Sequence, residues 1–403
     1  MDNRTGLEGA LAGTRVVEWS AGRPGAYAGK LLRGLGAGVT LLESPGTRER
    51  AFNPGPVAGA DEQLEARIRF LHGGKRSVEF DPADAASRDL AFGLLSTADI
   101  LVMDQHLSTA DALGLSPETL GERFPGLLVV SISLGGLGAR ARAWRHSDLV
   151  AHAVGGTARS TPSRVPDVET YPPLKSGGYQ ADYACGLHAA SAALLGLQLR
   201  RRTGAGQVID VSAQAVFASY VRMDIAYRTY GGADALNISG ASRQSPNGRF
   251  STIWGLVPCS DGYFAFQASE QYQWEGLMRA MGDPDWAKDP RFADPMDRVA
   301  YWDEIEPHFV GWCLGHTKAE IFHAAQAEHV PVFPCYTVEE LLQDEQQRAR
   351  AFFVDLPLQG GHQLVKVPGA VVHLEKTPWQ PSFEPPSVGE HTAELRQALG
   401  VGS

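Results

Sequence analysis

Short apolar runs alternate with stretches of helical apolar spacing through the first third of the chain. TRVVEWS (14–20) has a strand pattern, AGRPGAYAGKLLRGLGA repeats its apolar positions at helical intervals, and GVTLLES (38–44) is a second strand. Strand, helix and strand over so short a span predict a βαβ unit and hence a parallel sheet. The pattern continues with KRSVEFD (75–81), a helix-like segment from Ala83 to Thr97, DILVMD (99–104) and GLLVVSISL (126–134). The first half therefore reads as a doubly wound α/β domain.

The longest helical pattern runs from Asp182 to Arg202, with an acid at its start and three arginines at its end, both favourable to the helix dipole. TGAGQ then turns the chain into the strand VIDVS. Beyond about residue 225 the texture changes to the polar, glycine- and serine-rich ADALNISGASRQSPNGRFS, followed by the hairpin-like GLVPCSDGYFAFQA and short helices. A second, smaller domain entered through a mobile loop is expected there. The tail contains a helical segment, VEELLQDEQQRARAFF, and a proline-rich end.

Composition narrows the function. The 403 residues are 43% hydrophobic, and 36 Lys and Arg against 46 Asp and Glu leave a net charge of −10. Nonspecific attraction to nucleic acid or an anionic membrane is disfavoured, so a polyanionic ligand must meet a local basic patch. No apolar run reaches about 18 residues, and no basic segment leads into an apolar core at the start, so a cytoplasmic protein is expected. Cys185, Cys259, Cys313 and Cys335 are scattered, which suggests neither a metal site nor a disulfide framework.

Several residues invite chemistry. GLGAGVTLLE (34–43) resembles part of a dinucleotide fingerprint, but its glycines follow the helix instead of preceding it, so Gly34 and Gly36 read as turn glycines. The loop in the ligand-facing position, SAGRPGAYAG (20–29), has the wrong glycine spacing for that fingerprint but is placed to line a nucleotide-like pocket. Lys75, Arg76, Arg48 and Arg50 are singly ordinary surface charges; together they form a basic cluster suited to phosphates. Asp182 reads first as an N-cap worth about 1 kcal/mol. It also reads as a reactive carboxylate, since free N–H groups at a helix start favour an anion and an oxyanion formed on it. Tyr171, Tyr183, Tyr227, Trp254 and Trp274 are either core residues or the walls of a bulky acyl site.

These segments resemble the class III CoA-transferases. AYAGKLLRGLGAGVTLLESPG, KRSVEFD and ILVMDQHLSTADALGLSPETL are similar to that family's first three motifs. GGYQADYACGLHAASAALLGLQLRRRTGAGQVIDVS resembles its central one, and DPRFADPMDR, LLQDEQQRARAFF, PG (368–369) and PSFEPPSVGEHT its later markers. The resemblance implies an interlocked dimer of ring-like subunits, each with a Rossmann-like large domain and a smaller α+β domain: residues 1–220 large, 221–330 small with the active-site loop, 331–403 returning to the large domain. It implies Asp182 as the catalytic residue, with Gly186 in register. It implies CoA contacts at Gly22, Arg23, Arg48, Lys75, Asp104, Gln105 and His106, no metal, and no tightly bound cofactor, with acyl-CoA and a carboxylic acid as substrates. The chain departs from the family at Ala26, where many relatives have Pro, and at Asp104–His106, where they have Asn-Phe-Arg. The glycine run of formyl-CoA transferase is replaced by NISGASRQSPNGR, which counts against oxalate or formate.

The expected mechanism has Asp182 attack an acyl-CoA, giving a mixed anhydride and a thiolate that returns to form an aspartyl-CoA thioester. Backbone N–H groups after Asp182 and in the 239–248 loop are the expected oxyanion donors. Two alternatives stay open. One is an acyl-CoA racemase or isomerase, whose acid/base His directly precedes an Asp; here Ser147 separates His146 from Asp148. The other is a catalytically silent subunit of a heteromeric transferase.

Overall fold

The computed structural model describes residues 9–53, 55–57, 59–161, 170–222, 225–226, 229–230, 254–268, 270–358 and 363–401. Six strands, β1 (Arg15–Trp19), β2 (Gly38–Glu43), β3 (Arg76–Glu79), β4 (Ile100–Met103), β5 (Leu128–Ser133) and β6 (Gln207–Ser212), form one sheet in the order 3-2-1-4-5-6. Every neighbouring pair is parallel. The order reverses between β1 and β4, so the loops leaving their carboxyl ends face a crevice suited to a ligand. These loops carry Gly22 and Arg23 on one side and Asp104 to His106 on the other.

The apolar runs are nearly continuous because both sheet faces are covered. Alternate residues serve opposite cores. Val16, Ile100, Val102, Leu128 and Val130 face one buried cluster, while Val17, Leu101, Met103 and Val129 face the other. The first cluster is closed by α1 (Arg23–Gly34) and a long helix; the second includes Leu90, Leu94 and Leu95. Between them in sequence come α2 (Ala60–His72), α3 (Ala85–Thr97) and α4 (Asp148–Val154), and the long helix is α5 (Gln180–Thr203). α5 presents Ala181, Gly186, Ala189, Ala193 and Gly196 inward. Small side chains there let it lie close to α1 and β5.

The chain forms two compact units, one of residues 1–158, 175–221 and 351–403, the other of 159–174 and 222–350. The return to the first unit comes at 351, later than 331, because β9 (Val332–Cys335) pairs antiparallel with β8 (Gly262–Gln267), itself paired with β7 (Trp254–Cys259). In this second unit Phe264 and Phe266, two residues apart on one strand face, pack with Ile305, Phe309 and Cys313. The segment expected as one helix near residue 340 is two, Val338–Gln343 and Glu345–Ala349. Asp344 breaks the run by accepting a cap bond from the Gln347 N–H at 2.9 Å.

The C-terminal motif PSFEPPSVGEHT seals the β3 edge. The His391 N–H donates to the Ser77 carbonyl at 2.9 Å, and the Gly389 N–H to its hydroxyl at 2.9 Å. Among the described residues no helix is long and apolar enough to cross a membrane.

Candidate active site

α5 begins at Gln180, two residues before the expected start, so Asp182 is the third helical residue and not the N-cap. The cap position, Tyr179, supplies no side-chain acceptor. Asp148, at the start of α4, caps the helix instead. Its Oδ1 accepts from the Ala181 N–H at 2.8 Å and the Asp182 N–H at 3.3 Å. Lys175 lies 2.9 Å from its other oxygen. The next amide, of Tyr183, already donates to the Tyr179 carbonyl at 3.1 Å. The backbone donors expected to serve a reaction at Asp182 are therefore engaged, and the other expected set, in 239–248, lies outside the described residues.

Relieved of capping, the Asp182 carboxylate turns elsewhere, although only 4% of the residue is exposed. Its Oδ1 accepts from His146 Nε2 at 2.8 Å. Because a carboxylate only accepts, the ring proton sits on Nε2. The other ring nitrogen, Nδ1, is buried and meets no partner. Arg23 Nη1 stands 3.7 Å from Oδ2, and its guanidinium lies over the Tyr179 ring at 3.7 Å from the centroid.

Arg23 reaches Asp182 because α1 and α5 touch closely. A Cβ at Gly186 would stand 2.6 Å from the Pro24 carbonyl oxygen. The loop before α1 is shaped by Asp104, whose carboxylate accepts from the N–H groups of Ala21 at 2.5 Å, Gly22 at 3.2 Å and Gly25 at 2.9 Å. Burial raises the pKa of Asp104, and those three amides oppose the rise. Gly25 leaves the room this needs, since a Cβ there would collide with Ser20 and Asp104. The glycines of 20–29 thus make space for the protein's own side chains.

The remaining candidates divide. Gly22, Asp104, Gln105 and His106 line one cavity of about 270 Å³, together with Trp144 and His146. Lys75 and Arg48 belong to a closed cluster instead. Lys75 Nζ is 2.7 Å from Glu18 Oε2 and 2.9 Å from the Ala26 carbonyl, with neither side chain of the ion pair exposed. Burial pushes the Glu18 carboxyl up and the Lys75 amine down, and their attraction opposes both shifts. Arg48 makes a bidentate pair with Glu43 and donates to the Pro386 carbonyl at 2.6 Å. As they stand, both cations are spent on internal partners.

The model described as CoA-transferase family III matches residues 11–392. The chain belongs to this family. It is 26% identical to succinyl-CoA:mesaconate CoA-transferase of Haloarcula hispanica over 98% of each chain. It is 28% identical to succinate–glutarate CoA-transferase of Agrobacterium fabrum, over 96% of this chain and 95% of that one. The crystal structure of a CAIB/BAIF family protein from Brucella suis superposes with a TM-score of 0.79 at 25% identity, covering 97% of this chain and all of the other. The protein is accordingly a class III CoA-transferase, whose substrates are CoA thioesters.

Within the transferase, Cys185 lies one helical turn from Asp182 and is fully buried. Burial first, and then the charges of Asp182 and Asp148, push its thiol up to about 12, which withholds the reactive thiolate. No group of three or more His, Cys, Asp or Glu among the described residues is arranged to hold a metal. The aromatic candidates scatter: Tyr183 packs edge-on against Tyr27, Trp274 lies under Arg298 in the second unit, and Tyr171 is exposed. Tyr227 and the Trp254 side chain lie outside the described residues. The neighbours of the candidate residues that the sequence did not single out for transfer are His146 and Asp148, beside Asp182, and Glu18, beside Lys75. A charged residue inside the apolar run RVVEW was the available sign of a buried ion pair; His146 and Asp148 stood out only as a departure from the racemase pattern.

Proposed function

We propose that this transferase moves CoA from an acyl-CoA to a carboxylic acid through an aspartyl-CoA thioester on Asp182. One observation carries the reading: Asp182 is a nearly buried carboxylate at a helix start that takes no part in capping, because Asp148 caps α5 in its place. Such a group is costly to keep without a use. Attack of Asp182 on the donor carbonyl gives a mixed anhydride and CoA thiolate; the thiolate recaptures the aspartyl carbonyl and frees the donor acid. The acceptor carboxylate then reverses these steps. CoA lies along the cavity lined by Gly22, Asp104, Gln105 and His106, with Arg23 between it and Asp182, while Lys75 and Arg48 brace the loops from below. The working form is a cytoplasmic homodimer.

Succinyl-CoA as donor and a small dicarboxylic acid as acceptor are supported by the names of two relatives, while others of similar identity are named formyl-CoA:oxalate CoA-transferases. Racemisation by two bases requires a carbon held between them, and His146 and Asp182 are in direct contact at 2.8 Å, which disfavours it. The test is succinyl-CoA with mesaconate, glutarate, L-malate or oxalate, read by mass for a new thioester. Transfer to at least one of the first three, with oxalate the poorest, is expected. Solvent deuterium uptake beside the thioester without transfer would make the protein a racemase, and neither reaction would make it a silent subunit.

A further inference from the structure

Transfer through Asp182 passes through tetrahedral centres on two different carbons. One belongs to the substrates; the other is Cγ of Asp182, fixed in the protein. When the thiolate adds to Cγ of the anhydride, one carboxyl oxygen bridges to the acyl group and the other takes the negative charge. That second oxygen needs a donor about 2.7–3.1 Å away. The α5 amides are engaged: those of Ala181 and Asp182 by Asp148, that of Tyr183 by the Tyr179 carbonyl. Arg23, at 3.7 Å from Oδ2, is beyond hydrogen-bond reach. His146 Nε2, at 2.8 Å from Oδ1, is within it.

We infer that His146 is a catalytic residue whose Nε2–H is the oxyanion donor for every step at the aspartyl carbonyl, making Oδ1 the carbonyl oxygen and Oδ2 the nucleophile. This rests on the aspartyl reading of the proposed function. In the capture step the C–S bond forms at Cγ and Oδ1 takes the electron pair of the carbonyl. Return of that pair breaks the Cγ–Oδ2 bond, whose electrons leave on the donor carboxylate. His146 gives up no proton, so the step balances without an acid or base. The hydrogen bond strengthens as charge becomes localised on Oδ1, which favours the transition state over the ground state.

The test mixes wild type, His146→Leu and His146→Gln with succinyl-CoA and no acceptor. It follows the CoA adduct on the Asp182 peptide by mass over time, and CoA affinity by titration. Leucine removes the donor; glutamine returns an N–H near the Nε2 position and is the variant that keeps the test open should leucine misfold. The expected result is a fall of about 10²–10³-fold in adduct formation for leucine, recovery of most of that by glutamine, and a change in CoA affinity far smaller than the fall in rate for both. Adduct formation at the wild-type rate in the leucine variant, or glutamine as slow as leucine, would overturn the role of His146 alone. No adduct in the wild type would overturn the aspartyl reading and this inference with it.

Discussion

The Glu18–Lys75 pair and the Asp182–His146 pair both join a carboxylate to a nitrogen base within the first unit, at 2.7 and 2.8 Å. Around the first, the ammonium also meets the Ala26 carbonyl and His72, neither side chain touches solvent, and Glu18 Oε1 is buried without a hydrogen-bond partner. Around the second, His146 lines a cavity and leaves one ring nitrogen without a partner, and the nearest cation stops at 3.7 Å. The contrast lies in access to the cavity, since each pair leaves one buried polar atom without a hydrogen bond. In sequence, Lys75 reads as a ligand residue and His146 as an irregularity; the internal partners of Lys75 and the place of His146 on the cavity are visible only in three dimensions.

The sharpest way to break the contrast is Asp182→Asn. Because Asp148 does the capping, the amide is expected to leave the melting temperature nearly unchanged while turnover falls on the order of 10⁴-fold or more. A large loss of stability with residual transfer would put Asp182 among the scaffold pairs. The converse test takes Lys75→Met, which strands Glu18 and is expected to cost about 3–5 kcal/mol in denaturant melts. Adding Glu18→Leu should restore most of that. If the stable double variant still loses CoA affinity, Lys75 belongs to the ligand and the contrast fails.

A smaller effect is expected at Gly186, where an alanine Cβ would press on the Pro24 carbonyl. Overpacking costs about 1–3 kcal/mol, offset by up to ~1 kcal/mol of helix preference. Turnover should fall with it, because moving α1 from α5 shifts Arg23. An unaltered Gly186→Ala enzyme would show that the approach of the two helices does not set the site.

The sheet was legible because its inner strands, β1, β2, β4 and β5, are largely apolar runs between turn signals; expected strands such as 38–44 and 99–104 match β2 and β4 to within a residue or so. The hairpin near residue 260 was readable from alternation. Boundaries set by side-chain caps were not. The start of α5 depends on Asp148, 33 residues earlier, and the break near residue 344 on one aspartate's bond to the chain ahead. The proposed site was legible at Asp182 through a family pattern; the nearness of Gly22 to Asp104 follows from strand ends meeting at the reversal of strand order. Asp104 itself fills the amide nest that the glycine loop would otherwise offer a ligand, a contact across 83 residues that spacing does not reveal. The pairing of His146 with Asp182 spans 36 residues and follows from no local pattern.

The aspartyl intermediate is tested most directly by intact-mass measurement of the enzyme after incubation with succinyl-CoA and no acceptor. The account predicts a gain equal to CoA less one water, mapped by hydroxylamine to the peptide carrying Asp182. It also predicts that the gain is absent in Asp182→Asn and undiminished in Cys185→Ala, since that thiol is buried and pushed up to about 12. A label recovered on Cys185, or a gain that survives in Asp182→Asn, would contradict it.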